Sequence, residues 1–144
     1  QRVHSASVKV NGNNISKIKY GYLILLGIAD DDNEKDIDFL VNKIYNLRIF
    51  KDKKDNMNLS IQDISGEALV VSQFTLCADT RHGRRPSFIN AAPADKAEII
   101  YEKYCNKLQE TGIPVFKGKF GAMMDVELVN DGPVTIILDS KITA

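Results

Sequence analysis

The chain has 144 residues with 19 Lys and Arg against 19 Asp and Glu, a formal net charge of zero. That balance argues against a protein that coats nucleic acid through bulk charge, and leaves room only for a local basic patch. Hydrophobic residues make up 44% and charged residues 26%, as in an ordinary globular chain, and the length fits a single domain over 1–144.

Tyr22 to Ala29, the longest apolar run, is well short of the ~20 residues of a membrane span. No secretory pattern is visible, so a cytoplasmic setting with reduced Cys77 and Cys105 is expected. Strand-like alternation begins at once after Gln1, and the natural start is expected to lie upstream.

Val3 to Val10 alternates apolar and polar residues and predicts a half-buried strand. Asn11-Gly12 is a hairpin signal, with a second strand through Ile15 and Ile18. Gly21 breaks that strand, and Tyr22 to Ile28 reads as a central one. Asn33 is placed to cap a helix, with Glu34 and Asp36 suited to its N-terminal dipole. Ile37, Leu40, Val41, Ile44 and Leu47 follow at helical spacing, giving one face to pack on a sheet.

Arg48-Ile49-Phe50 is strand-like, Lys51 to Asn56 a charged turn, and Ala68 to Leu76 the next strong strand. Thr80 to Asn90 is irregular and basic. Pro93 suits the first turn of a helix with an inner face of Ala97, Ile100, Tyr101, Tyr104 and Leu108, closed by Gly112. From Val115 to Leu138 the pattern is strand, Gly-containing loop, strand, Gly-Pro turn, strand. Two helices between groups of strands predict an α+β fold, mainly antiparallel, with a barrel-like core.

The common catalytic signatures are missing. His4 lies in an alternating strand and His82 in a basic loop, and neither belongs to a metal-binding pattern, so no metal or cofactor is expected. No GxSxG elbow or phosphate-binding glycine loop is present. Three strings remain. Ser72-Gln73-Phe74-Thr75-Leu76 ends a strand, where backbone N–H groups can face a developing oxyanion. Arg81-His82-Gly83-Arg84-Arg85-Pro86-Ser87-Phe88 is equally compatible with a phosphate-contacting loop and a solvated one. Phe120-Gly121-Ala122-Met123-Met124 offers a flat apolar slot for a base, or plain core. A fourth string, Asn130-Asp131-Gly132-Pro133-Val134-Thr135, has a glycine that admits close approach and an Xaa-Pro bond able to be cis. By itself it also fits an ordinary turn.

Taken in order with Gln1-Arg2-Val3 and Asn46-Leu47-Arg48-Ile49-Phe50, these strings resemble the D-aminoacyl-tRNA deacylase family across essentially the whole chain. Members of that family carry a few more residues, including the initiator Met, before Gln-Arg-Val; the first strand is expected to be short by those residues. The resemblance implies a homodimer that hydrolyses the ester between a D-amino acid and the terminal adenosine of tRNA, and that also accepts glycyl-tRNA. It implies a cis Gly132-Pro133 bond reaching from one subunit into the other's site as a chirality filter, oriented by Arg2. It places Ser72, Gln73, Phe74 and Thr75 around the aminoacyl group. Phe120, Gly121, Ala122 and Met124 are expected near the adenosine, and Arg81, Arg84 and Arg85, with Lys117 and Lys119, near phosphates.

Physics favours such a filter, because two enantiomers carry the same attractive groups and are better separated by a rigid obstacle than by attraction. The ester is labile, and no base is paired with Thr75 in the sequence, so assistance from the ribose 2′-OH is expected rather than a Thr75 nucleophile. A nucleic-acid-binding module of the DNA-unwinding-element type and an L-alanyl-tRNA deacylase are the competing readings.

Overall fold

The computed structural model describes residues 1–142. Strands β1 (Arg2–Val10) and β2 (Asn13–Ile18) form an antiparallel hairpin. Its turn uses Asn11 and Gly12 at φ of 50° and 78°, the left-handed pair that matches strand twist. Strand β3 (Gly21–Leu26) pairs antiparallel with the start of β1, so that Arg2 faces Tyr22. Gly21 is obligatory there. It sits at φ 158°, and an added Cβ would lie 1.9 Å from the carbonyl oxygen of Glu67.

Helix α1 (Glu34–Asn46) begins as the sequence predicts. The Asn33 side chain accepts from Lys35 N–H at 3.0 Å, and Asp36 Oδ2 accepts from Asn33 N–H at 2.9 Å, a closed capping box. Ile37 and Val41 are its buried positions. Strands β4 (Phe50–Lys51) and β5 (Met57–Leu59) make a small separate ribbon; the second of these was not foreseen. Strand β6 (Glu67–Ser72) lies parallel to β3. Helix α2 (Ala94–Glu110) then returns the chain to β7 (Val115–Lys117), parallel to β6. Strand β8 (Asp125–Asn130) pairs antiparallel along the outer edge of β1.

The sheet order β2-β1-β3-β6-β7 curls until its ends approach: Ser16 Oγ on β2 donates to the Lys117 carbonyl on β7 at 2.5 Å. The result is the nearly closed barrel expected, with antiparallel pairs in the majority and β6 as the parallel exception. Val3, Ala6, Val8, Ile18, Leu23, Leu69 and Val71 fill its interior. A second core, including Tyr22, Phe50, Val70, Tyr101 and Leu108, lies between the sheet and the two helices. Tyr101 Oη donates to the Val70 carbonyl at 2.7 Å and pins α2 to β6.

Three expected strands end early. Ala68–Leu76 stops at Ser72: Gln73 N–H still donates to the Leu26 carbonyl at 2.8 Å as the last rung of the ladder with β3, and the Gln73 carbonyl then accepts from Leu76 N–H at 3.2 Å as the chain tightens into a 3₁₀ turn, Phe74–Cys77. Tyr22–Ile28 stops at Leu26; the Ile28 carbonyl instead accepts from Ala92 N–H at 3.0 Å. Ile136–Leu138 forms no strand, and Ile137 is 86% exposed. That segment borders an apolar groove against β3, lined also by Ile24, Leu40, Ile44, Leu47 and Tyr104. Pro93 is the N-cap of α2 rather than a first-turn residue.

Candidate active site

Two constructions stand at opposite ends of the barrel. The first gathers around the C-terminal end of β6. Ser72 and Gln73 are half-buried, whereas Phe74 and Thr75 are exposed on the 3₁₀ turn. The first N–H groups of such a turn lack partners within it, so those of Phe74 and Thr75 face its open end. The Gln73 side-chain amide donates to Thr75 Oγ1. Gly27 lets β3 press against this turn: a Cβ there would sit 2.9 Å from Leu76 Cβ and 3.2 Å from the Gln73 carbonyl. Sequence reading missed Gly27, and a glycine beside the end of an apolar strand was the available signal.

The basic loop folds back onto the same turn. Phe88 meets Phe74 edge-on with ring centroids 5.0 Å apart. Asp79 and Ser87 exchange backbone hydrogen bonds at 2.8 and 2.9 Å, which closes the loop at its base. Every residue from 80 to 90 is exposed. Arg81 is occupied: its guanidinium clamps Asp79 at 2.9 and 2.7 Å and holds that carboxyl down at about 2. Lys117 pairs with Glu102 at 2.7 Å. Arg84, Arg85 and Lys119 carry no ion pair among the described residues.

On the other flank, Gly118 N–H donates to the Val70 carbonyl at 3.0 Å and brings the 118–124 loop alongside β6. Its members divide. Phe120 is half-buried against Tyr101, centroids 5.7 Å apart, and Met124 packs on the barrel core. Gly121 is exposed, at φ 74°, and Ala122 half-buried. Ser72–Thr75, the basic loop and the 118–124 loop therefore lie toward one end of β6.

Gly132 and Pro133 lie elsewhere. They follow β8 at the end of the barrel where Arg2 faces Tyr22 and Tyr22 faces Ala68. From Ala68 to Ser72 the strand rises roughly 13 Å, so within one chain the corner is remote from Thr75. Their peptide bond is cis and both residues are exposed. Behind them Arg2 is 1% exposed. It spends its donors on the Ile49 carbonyl (2.6 Å), the Asp131 carbonyl (3.2 Å) and Asp131 Oδ2 (3.1 Å). Its backbone N–H holds the Val134 carbonyl at 3.1 Å, and its carbonyl holds Asp131 N–H at 2.9 Å. A Cβ on Gly132, which sits at φ 127°, would meet Val134 Cγ2 at 2.9 Å and an Arg2 nitrogen at 3.3 Å. Tyr20, absent from the sequence reading, donates to Asp131 Oδ2 at 2.8 Å. Burial first, and the Asp131 carboxylate second, raise its phenol's pKa, which keeps it a donor.

Beside the corner, β8 is an open sheet edge: it pairs with β1 alone, and Leu128 and Val129, on its two faces, are 37% and 54% exposed. No helix among the described residues is long and apolar enough to cross a membrane.

The comparisons agree with the fold. The family model described as D-Tyr-tRNA(Tyr) deacylase matches residues 1–139. A protein of Desulfatibacillum aliphaticivorans named D-aminoacyl-tRNA deacylase is 55% identical over 141 residues, covering 98% of this chain and 97% of its own. A Clostridioides difficile protein of the same name is 54% identical, covering 98% and 95%. A solved structure described as c-Myc DNA Unwinding Element Binding Protein superposes with a TM-score of 0.92 at 44% identity, over 96% of this chain and 95% of its own. Another, described as a probable eukaryotic D-amino acid tRNA deacylase, shares the fold alone, with a TM-score of 0.74 at 15% identity over 89% and 90%. With the match running through both ends of the barrel, the chain belongs to the D-Tyr-tRNA(Tyr) deacylase family.

Proposed function

We infer that the protein hydrolyses the ester bond of D-aminoacyl-tRNA, releasing the D-amino acid and tRNA, and that it does so as a homodimer. The observation that carries this reading is the separation of its two constructions. A main-chain corner held rigidly from behind projects into solvent, roughly 13 Å along the sheet from the pocket of its own chain. A second copy docked along the open edge of β8 gives the corner a site to enter. Burying Leu128 and Val129 in the same step supplies a driving force.

In that arrangement Gly132 and Pro133 stand where an L side chain would project. Exclusion by backbone rejects every L residue alike and admits glycine, so glycyl-tRNA is a substrate too. The pocket around Ser72–Thr75 needs no contact with the D side chain, which points away from the corner. Arg84, Arg85 and Lys119 are free to meet phosphates of the acceptor end. The Phe120–Met124 loop borders the terminal adenosine.

The 2′-OH of that adenosine assists hydrolysis. Thr75 Oγ1 already accepts a hydrogen bond from Gln73, and no histidine or carboxylate among the described residues hydrogen-bonds to it. Its hydroxyl lacks the base a nucleophile needs. The protein's part is to orient the ester and to offer N–H donors from the open turn to the developing oxyanion.

The test is deacylation of D- and L-tyrosyl-tRNA by the purified protein, repeated with tRNA ending in 2′-deoxyadenosine. Rapid release from the D substrate, little from the L, and near-inertness of the deoxy substrate are expected. No release from D-tyrosyl-tRNA would overturn the activity; rapid release from the deoxy form would overturn the assistance. Binding to duplex DNA without deacylation would instead favour the activity suggested by the c-Myc DNA Unwinding Element Binding Protein resemblance.

A further inference from the structure

We propose that Asp131 and Tyr20 are positioning residues for stereochemical selection: they fix Arg2, and through it the Gly132-Pro133 corner. This rests on the reading of that corner as the gate. Arg2 carries a full charge at 1% exposure, and most of its neighbours are neutral carbonyls. Its countercharge is Asp131 Oδ2, 3.1 Å from Nε. That oxygen also receives Tyr20 Oη at 2.8 Å, while His4 Nε2 stands 3.5 Å from the second oxygen, Oδ1.

Tyr20 is itself held, its ring edge-on to the fully buried Phe50 with centroids 5.4 Å apart and stacked on His4 at 5.8 Å. A continuous path thus runs from the core through Phe50, Tyr20, Asp131 and Arg2 to the backbone of Gly132. The guanidinium nitrogen that a Gly132 Cβ would approach at 3.3 Å is the last link. A guanidinium without its carboxylate keeps only carbonyl partners, and carbonyls do not fix its rotation as a paired carboxylate does.

Their side chains contact Arg2, His4, Phe50 and each other, and they stand behind the corner, on the side of Arg2. Their loss should therefore act on the placement of the wall and not on the chemistry around Ser72–Thr75. L substrates gain access, and the rate on D substrates is nearly unchanged. A residue that merely stabilised the fold would lower both rates together.

Steady-state deacylation of D- and L-tyrosyl-tRNA by wild type, Tyr20→Phe and Asp131→Asn, with thermal melting of each, separates these cases. Tyr20→Phe keeps both ring contacts and serves if Asp131→Asn does not fold. It should lower the D-to-L preference about tenfold, the scale of one lost hydrogen bond to a charged group, through a faster L rate. The D rate should stay within about threefold, and Asp131→Asn should lower the preference further. An unchanged preference in folded variants, or equal loss of both rates, would overturn the positioning role and leave the gate intact. A wild type that shows no preference would remove the gate itself, and the positioning role with it.

Discussion

The Gly132-Pro133 corner and the 80–90 loop are both exposed, both are expected to meet substrate, and they are built in opposite ways. The corner rests on a buried arginine whose side chain bonds the Ile49 carbonyl and both the carbonyl and carboxylate of Asp131, and whose main chain is tied on both sides. The loop is tied by the Asp79–Ser87 backbone pair, the exposed Arg81–Asp79 clamp, the Phe74–Phe88 ring contact and, at its end, Asp30 N–H to the Asn90 carbonyl, all near its base or its surface. Rejection needs a wall that does not yield, whereas attraction of a flexible phosphate backbone works with long side chains that adjust. The same chain supplies both by placing one group of arginine atoms inside the protein and the others outside.

The largest effect should come from breaking the wall's support. Arg2→Leu leaves Asp131 without its cation and should destabilise the fold by about 3–5 kcal/mol, the usual range for one missing partner of a buried pair. Urea unfolding measures it; a loss below about 1 kcal/mol, the scale of a surface pair, would show that the corner is not anchored there. Next comes Gly27→Ala, whose new Cβ presses on Leu76 and the Gln73 carbonyl. Displacing the turn by even a fraction of an ångström should cut kcat on D substrates by about 10–100-fold, with the D-to-L preference kept. Equal kcat would mean that the turn tolerates displacement.

The loop should respond more mildly. Arg84→Ala and Arg85→Ala should each weaken tRNA binding several-fold, and each should reduce the slope of log affinity against log salt by about one. Arg81→Ala should do less, because its charge is already spent on Asp79. Equal effects from all three would contradict that ordering.

The smallest effect at neutral pH is a pH dependence of stability, which emerges only above pH 9 and belongs to neither exposed region. Burial pushes the Cys105 thiol up to about 12 from 9.0. Above pH 9 the unfolded chain loses this proton while the folded one keeps it, so stability should fall as pH rises from 9 toward 12. Thermal melting across that range, with Cys105→Ala as reference, checks the sign. Near neutral pH a thiol reagent should label Cys105 only after unfolding.

Local rules explain which parts were legible in the sequence. The hairpin at Asn11-Gly12, the N-cap at Asn33 and the buried face of α2 each follow from residues close in the chain, and each appears as expected. The 3₁₀ turn at Phe74 was not legible: it is closed by Leu76 N–H donating to the Gln73 carbonyl, and no glycine or proline from Gln73 to Cys77 marks it in the sequence. The three strings around β6 were identified singly. Their convergence depends on the parallel β3–β6–β7 arrangement, which no local pattern specifies. Tyr20 carries no signal of its own in the sequence, since its partner Asp131 is 111 positions distant.

A backbone wall and a side-chain-sized pocket make different forecasts for a graded substrate set. Deacylation rates should be measured for tRNAs carrying glycine and the D and L forms of alanine, valine, tyrosine and phenylalanine. Glycine and all four D residues should be released at comparable rates, and all four L residues should be refused, L-alanine as firmly as L-phenylalanine. Release of L-alanine with refusal that grows with side-chain size would contradict selection by main chain.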